Sequence, residues 1–147
     1  MKLDACDERI LNELMTHAKV PLRDLAKKVK VSFVTVMNRI KRMEKEGIIK
    51  RYTAIVDYDS LGFGIHVLID VRISKGKLFE LETKLAAFPN VYTVFDTTGD
   101  FDATILARFD STRSLDAFVK KIQTFDFVER TNTILVLNTI KEGQAEM

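Results

Sequence analysis

The 147-residue chain holds a single cysteine, so Cys6 has no partner within the chain. That excludes a disulfide framework and a thiolate metal cage, and it fits a reducing compartment. There are only two histidines, His17 and His66. His17 ends the first helical stretch, where a helix C-terminus favours a cation. His66 alternates with an apolar strand face and reads as an interface residue. No base stands beside Cys6, which reads as a structural thiol. The six glycines form no nucleotide-binding pattern, and no residues stand at metal-ligand spacing. The chain therefore offers no catalytic acid, base or nucleophile set and no metal site, and the expectation is a protein that is not an enzyme. No apolar run approaches the roughly 18–20 residues that span a bilayer. The start, Met1 to Glu8, turns acidic at once without an apolar stretch, so no signal peptide is expected and the expected location is the cytoplasm.

Net charge is scarce, because 23 basic and 21 acidic side chains leave only +2. The mean hides a split. Residues 1–56 hold thirteen Lys and Arg against seven Asp and Glu, a surplus of six positive charges. Residues 57–147 hold ten against fourteen, a surplus of four negative ones. Two modules with different partners follow, and a basic one suits a polyanion, whose counterions it releases on binding. Chance clustering of surface lysines stays open as the plainer reading of charge alone.

Residues 1–56 read as three short helices and an extended tail. Asp4 caps the first helix, with Asp7 three residues on, and Ile10, Leu11, Leu14, Met15 and Ala18 form its apolar stripe. Val20-Pro21 ends it and opens the next. Leu22, Leu25, Ala26 and Val29 make the i, i+3, i+4, i+7 stripe of a second, very short helix. Lys30-Val31 is a tight turn, and Ser32 caps a third helix that buries Val36, Ile40 and Met43 and stops at Gly47. Residues 48–56 are β-rich and extended. The three-residue join between helices two and three fits a helix-turn-helix.

Opposite the apolar stripe of the third helix lie Phe33, Val34, Met37, Asn38 and Lys41, flanked by Arg39, Arg42 and Lys45. A helix that reads DNA places its first residues on base edges and its cations near phosphates. Ser32 and Thr35 are candidates for phosphate hydrogen bonds, and Asn38 for adenine. Phe33, Val34 and Met37 suit thymine methyls, or else extra core or a partner helix.

Residues 57–63 are polar, with turn residues, and are read as a hinge; residues 64–147 follow as a second module. Ile65, Val67, Ile69, Val71 and Ile73 alternate as a strand, and Leu78, Leu81, Leu85 and Phe88 follow at helical spacing. Residues 91–109 predict a hairpin turning at Thr98-Gly99-Asp100. A helix from Asp110-Ser111-Thr112 carries Leu115, Phe118, Val119 and Ile122, and a last strand is expected from Thr131 to Ile140. The order is the ferredoxin-like βαββαβ plan, so the fold class is α+β. Leu68, Val94, Leu106, Ile134 and Val136 are expected on the sheet face away from the helices. Such an apolar face predicts a second copy packed on it as a two-fold homodimer.

The combination resembles the Lrp/AsnC (feast/famine) transcription regulators, prokaryotic and of the archaeal type. The resemblance runs along essentially the whole chain. It rests on Leu3-Asp4-x-x-Asp7 with Ile10-Leu11, on Pro21-Leu22-Arg23-Asp24-Leu25-Ala26, and on Ser32-x-x-Thr35-Val36-x-x-Arg39-Ile40-x-x-Met43-Glu44-x-x-Gly47-Ile48-Ile49. Tyr52-Thr53-Ala54, Leu61-Gly62 and Gly99-Asp100-Phe101-Asp102 follow in order. The resemblance implies a winged-helix-like DNA-binding module and an amino-acid-sensing module that assembles dimers into octamers or larger rings. Lys30 departs from the family's usual glycine, and it adds a cation near the DNA. The family places its effector at the loop of residues 99–102, between dimers. Asp100 or Asp102 is then a partner for an ammonium. Thr97, Thr98, Thr131, Thr133 and the backbone at Gly99 and Phe101 are candidates for the rest of the ligand. A plain hairpin turn is the competing reading of that loop. A homodimer would set two recognition helices in successive major grooves, about 34 Å apart, so an imperfect palindrome is the expected operator. Small ferredoxin-like enzymes, including decarboxylases with this two-part architecture, and an amino-acid-binding assembly module without DNA function are the alternatives.

Overall fold

The computed structural model describes residues 2–74, 76–85 and 87–143. It divides into two compact units, one built on residues 1–55 with the residues from Lys141 on, the other on residues 56–140.

In the first unit, α1 (Ala5–Thr16) starts where Asp4 caps it. The Asp4 carboxylate accepts from the Cys6 and Asp7 N–H groups, and Asp7 reaches back to the Asp4 N–H. This reciprocal box satisfies donors that a helix start leaves orphaned. The helix ends at Thr16, so Ala18, expected on its apolar stripe, lies beyond it and is exposed. Helix α2 (Leu22–Val29) starts after Pro21, which is suited to a helix entrance. It stops at Lys30, which adopts φ 59°, the one non-glycine residue with positive φ among those described. Ser32 caps α3 (Phe33–Lys45). Ile10, Leu11, Leu14, Leu25, Ala26, Val29, Val36, Ile40 and Met43 form one core, each contributing about 1.5–3 kcal/mol for its larger side chains. No strand forms over residues 48–56, although they are β-rich. Their backbone finds no ladder partner among the described residues, and Ile55 is 82% exposed.

The second unit is one antiparallel sheet with two helices on a single face. Its elements run β1 (Ile65–Ile73), α4 (Leu78–Leu85), β2 (Val91–Asp96), β3 (Ala103–Phe109), α5 (Thr112–Gln123) and β4 (Val128–Leu135). The strand order is β2-β3-β1-β4. That is the ferredoxin-like arrangement expected from the alternation. Val67, Ile69, Val71, Ala103, Ile105, Ala107 and Phe109 point to the helices and meet Leu81, Leu85, Phe118 and Ile122. Phe118 is edge-on to Phe88 at 5.0 Å between centroids and tilted on Phe109 at 5.2 Å.

Two expectations for this sheet are corrected. Strand β4 spans Val128–Leu135 rather than Thr131–Ile140. Its partner β1 begins at Ile65, so after the bond from the Val136 N–H to the His66 carbonyl no partner strand remains. Val94, expected on the outer face, pairs with the buried Ile105 and packs on the helix side. The cause is an irregularity between Val91 and Thr93, which puts one extra residue into β2 and turns the following side chains over. Leu68, Leu106 and Ile134 do lie on the outer face, in one cross-strand row. Next to that row is a polar one. Thr104 donates to Asp70 Oδ1 at 2.7 Å, and Asn132 donates to Asp70 Oδ2 at 3.3 Å.

Candidate functional site

The outward strip of α3 follows from its helical period. With Val36, Ile40 and Met43 buried at 0–7% exposure, Val34, Asn38 and Lys41 share the opposite side and Met37 flanks it. Phe33, three residues before Val36 and seven before Ile40, stands at the open end of the buried stripe rather than opposite it. Phe33 is 41% exposed and Val34 55%, both in the first turn. Asn38 and Lys41 are exposed in the next turns, while Met37 is half-buried. Ser32 Oγ accepts from the Thr35 N–H at 3.1 Å and lies 2.8 Å from Thr35 Oγ1, so both hydroxyls sit together at the helix entrance. Lys30, exposed and left-handed, ends α2 two residues before this point.

The two arginines are placed otherwise than their spacing implied. Arg39 Nη1 lies 2.6 Å from Asp4 Oδ2 and 2.8 Å from Asp7 Oδ1. Arg42 Nη2 lies 2.6 Å from Asp7 Oδ2. The Asp7 side chain is 1% exposed, so it is a buried carboxylate held by two guanidinium groups. Arg39 is thus withdrawn from the expected phosphate-facing set and ties α3 to the entrance of α1. Arg42, half-exposed, shares that role. The hydrogen bond from Arg39, with that from the Asp7 N–H, brings Asp4 down to about 2. Burial disfavours the Asp7 carboxylate, but the Arg39 hydrogen bond and the Asp4 N–H outweigh it and hold Asp7 below the usual carboxylate range. Asp4, and after it Asp7, push Arg39 upward. These pairings join residues more than thirty positions apart, and no local spacing announces them. The acidic Asp4 and Asp7 were the only legible sign.

In the second unit, the loop between β2 and β3 is fastened to β1. The Thr97 N–H donates to the Asp102 carbonyl, and the Asp102 N–H donates to the Val71 carbonyl, both at 3.0 Å. Asp102 Oδ2 accepts from the Ile73 N–H at 2.8 Å, and Thr97 Oγ1 donates to the Phe101 carbonyl at 3.1 Å. Gly99 takes φ 115°, a conformation L residues avoid, so the turn reading of this loop holds. Thr98 and Asp100 are exposed, with the Asp100 carbonyl accepting from Arg72 at 3.2 Å. The Arg130 guanidinium stands 4.6 Å from the Phe101 ring centroid. Beside the loop is a cleft of about 330 Å³, at the small end of ligand pockets. Asp96, Thr97, Asp102 and Ser74 give it polar groups, while Ile73 and Leu78 give it apolar ones. Asp96 and Ser74 were missed as binding residues, because only the fold brings the end of β1 against the end of β2.

Thr131 and Thr133 are not brought to this cleft. Both lie on β4, the sheet edge opposite β2, and pair with Val71 and Ile69 of β1. Strand β1 stands between them and the loop, whose Asp102 bonds Val71 on its other side. Thr131 Oγ1 instead accepts from Gln123 of α5 at 2.9 Å. Neither threonine lines the cleft beside the loop. Among the described residues no three His, Cys, Asp or Glu side chains group to hold a metal ion, and no helix is long and apolar enough to cross a membrane.

Comparison with known proteins agrees with this geometry. Residues 3–44 match the family described as AsnC-type helix-turn-helix domain, and residues 66–146 the Lrp/AsnC ligand binding domain. An uncharacterised helix-turn-helix-type transcriptional regulator of Pyrococcus horikoshii is 35% identical over 97% of this chain and 96% of its own. A helix-turn-helix-type transcriptional regulator of Pyrococcus furiosus is 35% identical over 95% of this chain and 93% of its own. Among solved structures, E. coli AsnC superposes with a TM-score of 0.93 at 28% identity over the whole of both chains. A Neisseria meningitidis transcriptional regulator in complex with L-methionine gives 0.92 at 26% identity, over 97% of this chain and 94% of that one.

Proposed function

Since this chain belongs to the Lrp/AsnC family of transcriptional regulators, with a helix-turn-helix and a ligand-binding domain, we propose that it binds DNA sequence-specifically through α3 and answers to an amino-acid effector through its second unit. The observation that carries the DNA half is the exposed strip of α3 on a unit with six surplus positive charges. Ser32 and Thr35 sit at the helix entrance, where backbone N–H groups favour a phosphate. Lys30, Lys41 and Lys45 supply sequence-independent attraction, and Phe33, Val34, Met37 and Asn38 face the bases.

The cleft beside residues 97–102 supports the effector half. Asp96 and Asp102 suit the ammonium of an α-amino acid, and the Ser74 and Thr97 hydroxyls would take its carboxylate by giving up their bonds to Glu129 and the Phe101 carbonyl. Thr98, Gly99, Asp100 and Phe101 shape the adjoining loop. The methionine-bound relative favours an amino acid as the ligand class.

The outer sheet face supports a homodimer. Leu68, Leu106 and Ile134 form an apolar row there, Ile134 being 44% exposed, and an apolar row left wet forgoes about 25 cal/mol for each Å². Two-fold pairing sets two α3 helices on an imperfect palindrome, and effector binding shifts further assembly of dimers toward octamers or higher rings. A thermal-shift panel of the twenty amino acids tests the effector half. One or a few raise the melting temperature by mass action, and Asp102→Asn abolishes that rise. A flat panel at millimolar ligand contradicts it.

A further inference from the structure

From the way α3 spends its side chains, the geometry points to an operator half-site whose contacted base pairs are A·T, read chiefly through thymine methyl groups by Phe33 and Val34. This rests on the proposal that α3 enters the major groove.

Four observations carry it. First, Phe33 and Val34 are large apolar side chains left exposed in the first turn of α3, the part of a recognition helix that meets base edges. Neither belongs to the unit's core, so packing does not explain them. Second, Met37 lies one turn on from both and is half-buried, which continues the apolar strip toward the middle of the helix. Third, the commonest device for selecting guanine is a guanidinium on the O6 and N7 edge. Both arginines of α3 are instead held by Asp4 and Asp7. Fourth, the exposed amide on the strip is Asn38, whose donor and acceptor match adenine N7 and N6. Thymine methyls for Phe33 and Val34, and adenine for Asn38, are two chemistries that choose the same base pair.

The charge around the strip names DNA as the occupant of this apolar surface. Lys30 precedes it, and Lys41 and Lys45 follow it along the same side, all three exposed. A protein partner burying Phe33 and Val34 would have to cover or pair these three ammonium groups. The duplex backbone supplies phosphates at that spacing on both walls of the groove. The lysines lie farther from the helix entrance than Phe33 and Val34, or before it, and so act on phosphates.

The test uses the full chain and a random-sequence duplex pool. Rounds of binding and amplification yield an enriched duplex, which is then remade with deoxyuridine for thymidine, removing only the C5 methyls. The expected enriched half-site has A·T pairs at its contacted positions. Loss of each contacted methyl weakens binding about fourfold, the equivalent of one buried methyl-sized group. Val34→Ala, at an exposed position, keeps the fold and lowers the discrimination between thymine and uracil duplexes. A half-site of G·C pairs overturns the inference, and so does equal binding of thymine and uracil duplexes by the unaltered chain. Both results leave sequence-specific DNA binding standing. A pool that enriches no sequence contradicts the DNA-binding proposal itself. Loss of self-association in Val34→Ala, read by sedimentation, assigns the strip to a second copy and also overturns the inference.

Discussion

Asp7 shows how one residue's neighbours decide what a mutation there means. Its carboxylate is buried between the guanidinium groups of Arg39 and Arg42, so removing Arg39 leaves a buried charge with half its partners. Arg39→Ala is expected to cost about 3 kcal/mol of stability, read in urea unfolding of the full chain. Arg39→Lys recovers part of it, since an ammonium cannot reach both aspartates as a planar fork does. Unchanged unfolding in Arg39→Ala would return this residue to the phosphate-facing set. Lys30 gives the opposite sign. Its φ of 59° strains any residue with a Cβ, so Lys30→Gly should raise stability by about 1 kcal/mol in the same measurement. The left-handed turn was legible, because the chain must reverse within three residues between two apolar stripes. The Asp4–Asp7–Arg39–Arg42 cluster was not, because it joins two helix faces that only the fold brings together.

At the scale of elements, the same cluster links the entrance of α1 to pH. Both carboxylates titrate below their ordinary range, Asp4 at about 2. A carboxyl group with a lowered folded value adds stability that is complete above its unfolded value, near 3.8, and is lost as pH falls through the folded value. The melting temperature is therefore expected to hold above pH about 4 on this account and to fall between about 4 and 2. In Arg39→Ala the fall over that range is smaller, because the folded carboxylates lose the hydrogen bonds that lowered them and move back toward the unfolded value. Circular dichroism melts across that range decide it. Coincident profiles for the two proteins would contradict the coupling.

Element types and order were readable from period alone. Helix α2 runs over Leu22–Val29, as its stripe and Pro21 imply, and β1 over Ile65–Ile73, as its alternation implies. Pairing is what the pattern could not carry. Val94 belongs to an alternating stretch, yet one extra residue near Tyr92 turns it toward the helices. The apolar residues from Val136 to Ile140 look like more strand, but β1 has ended, and Leu137 and Ile140 are left largely exposed. Thr131 and Thr133 offer hydroxyls like those of the 97–102 loop, but residue type carries no position in the sheet. The strand order puts β1 between them and that loop.

For the whole molecule, the net +2 is the sum over two parts of the chain that differ by ten charges in their surplus. The family follows from the matches along both. The outer row of Leu68, Leu106 and Ile134 ties function to assembly. Leu106→Lys on that face should leave a folded monomer in sedimentation, and it should weaken operator binding by removing the second recognition helix. A dimer that survives would place the interface elsewhere. The central claim is that α3 selects a DNA sequence while lysines supply the attraction. Fluorescence anisotropy of the full chain, titrated onto its selected duplex and onto a scrambled one across a salt series, tests that claim most directly. The account predicts an affinity higher by about 10³ or more for the selected duplex, with both affinities falling as salt rises. It also predicts that Lys41→Ala lowers the salt slope by about one. Equal affinity for the two duplexes, or binding indifferent to salt, would contradict it.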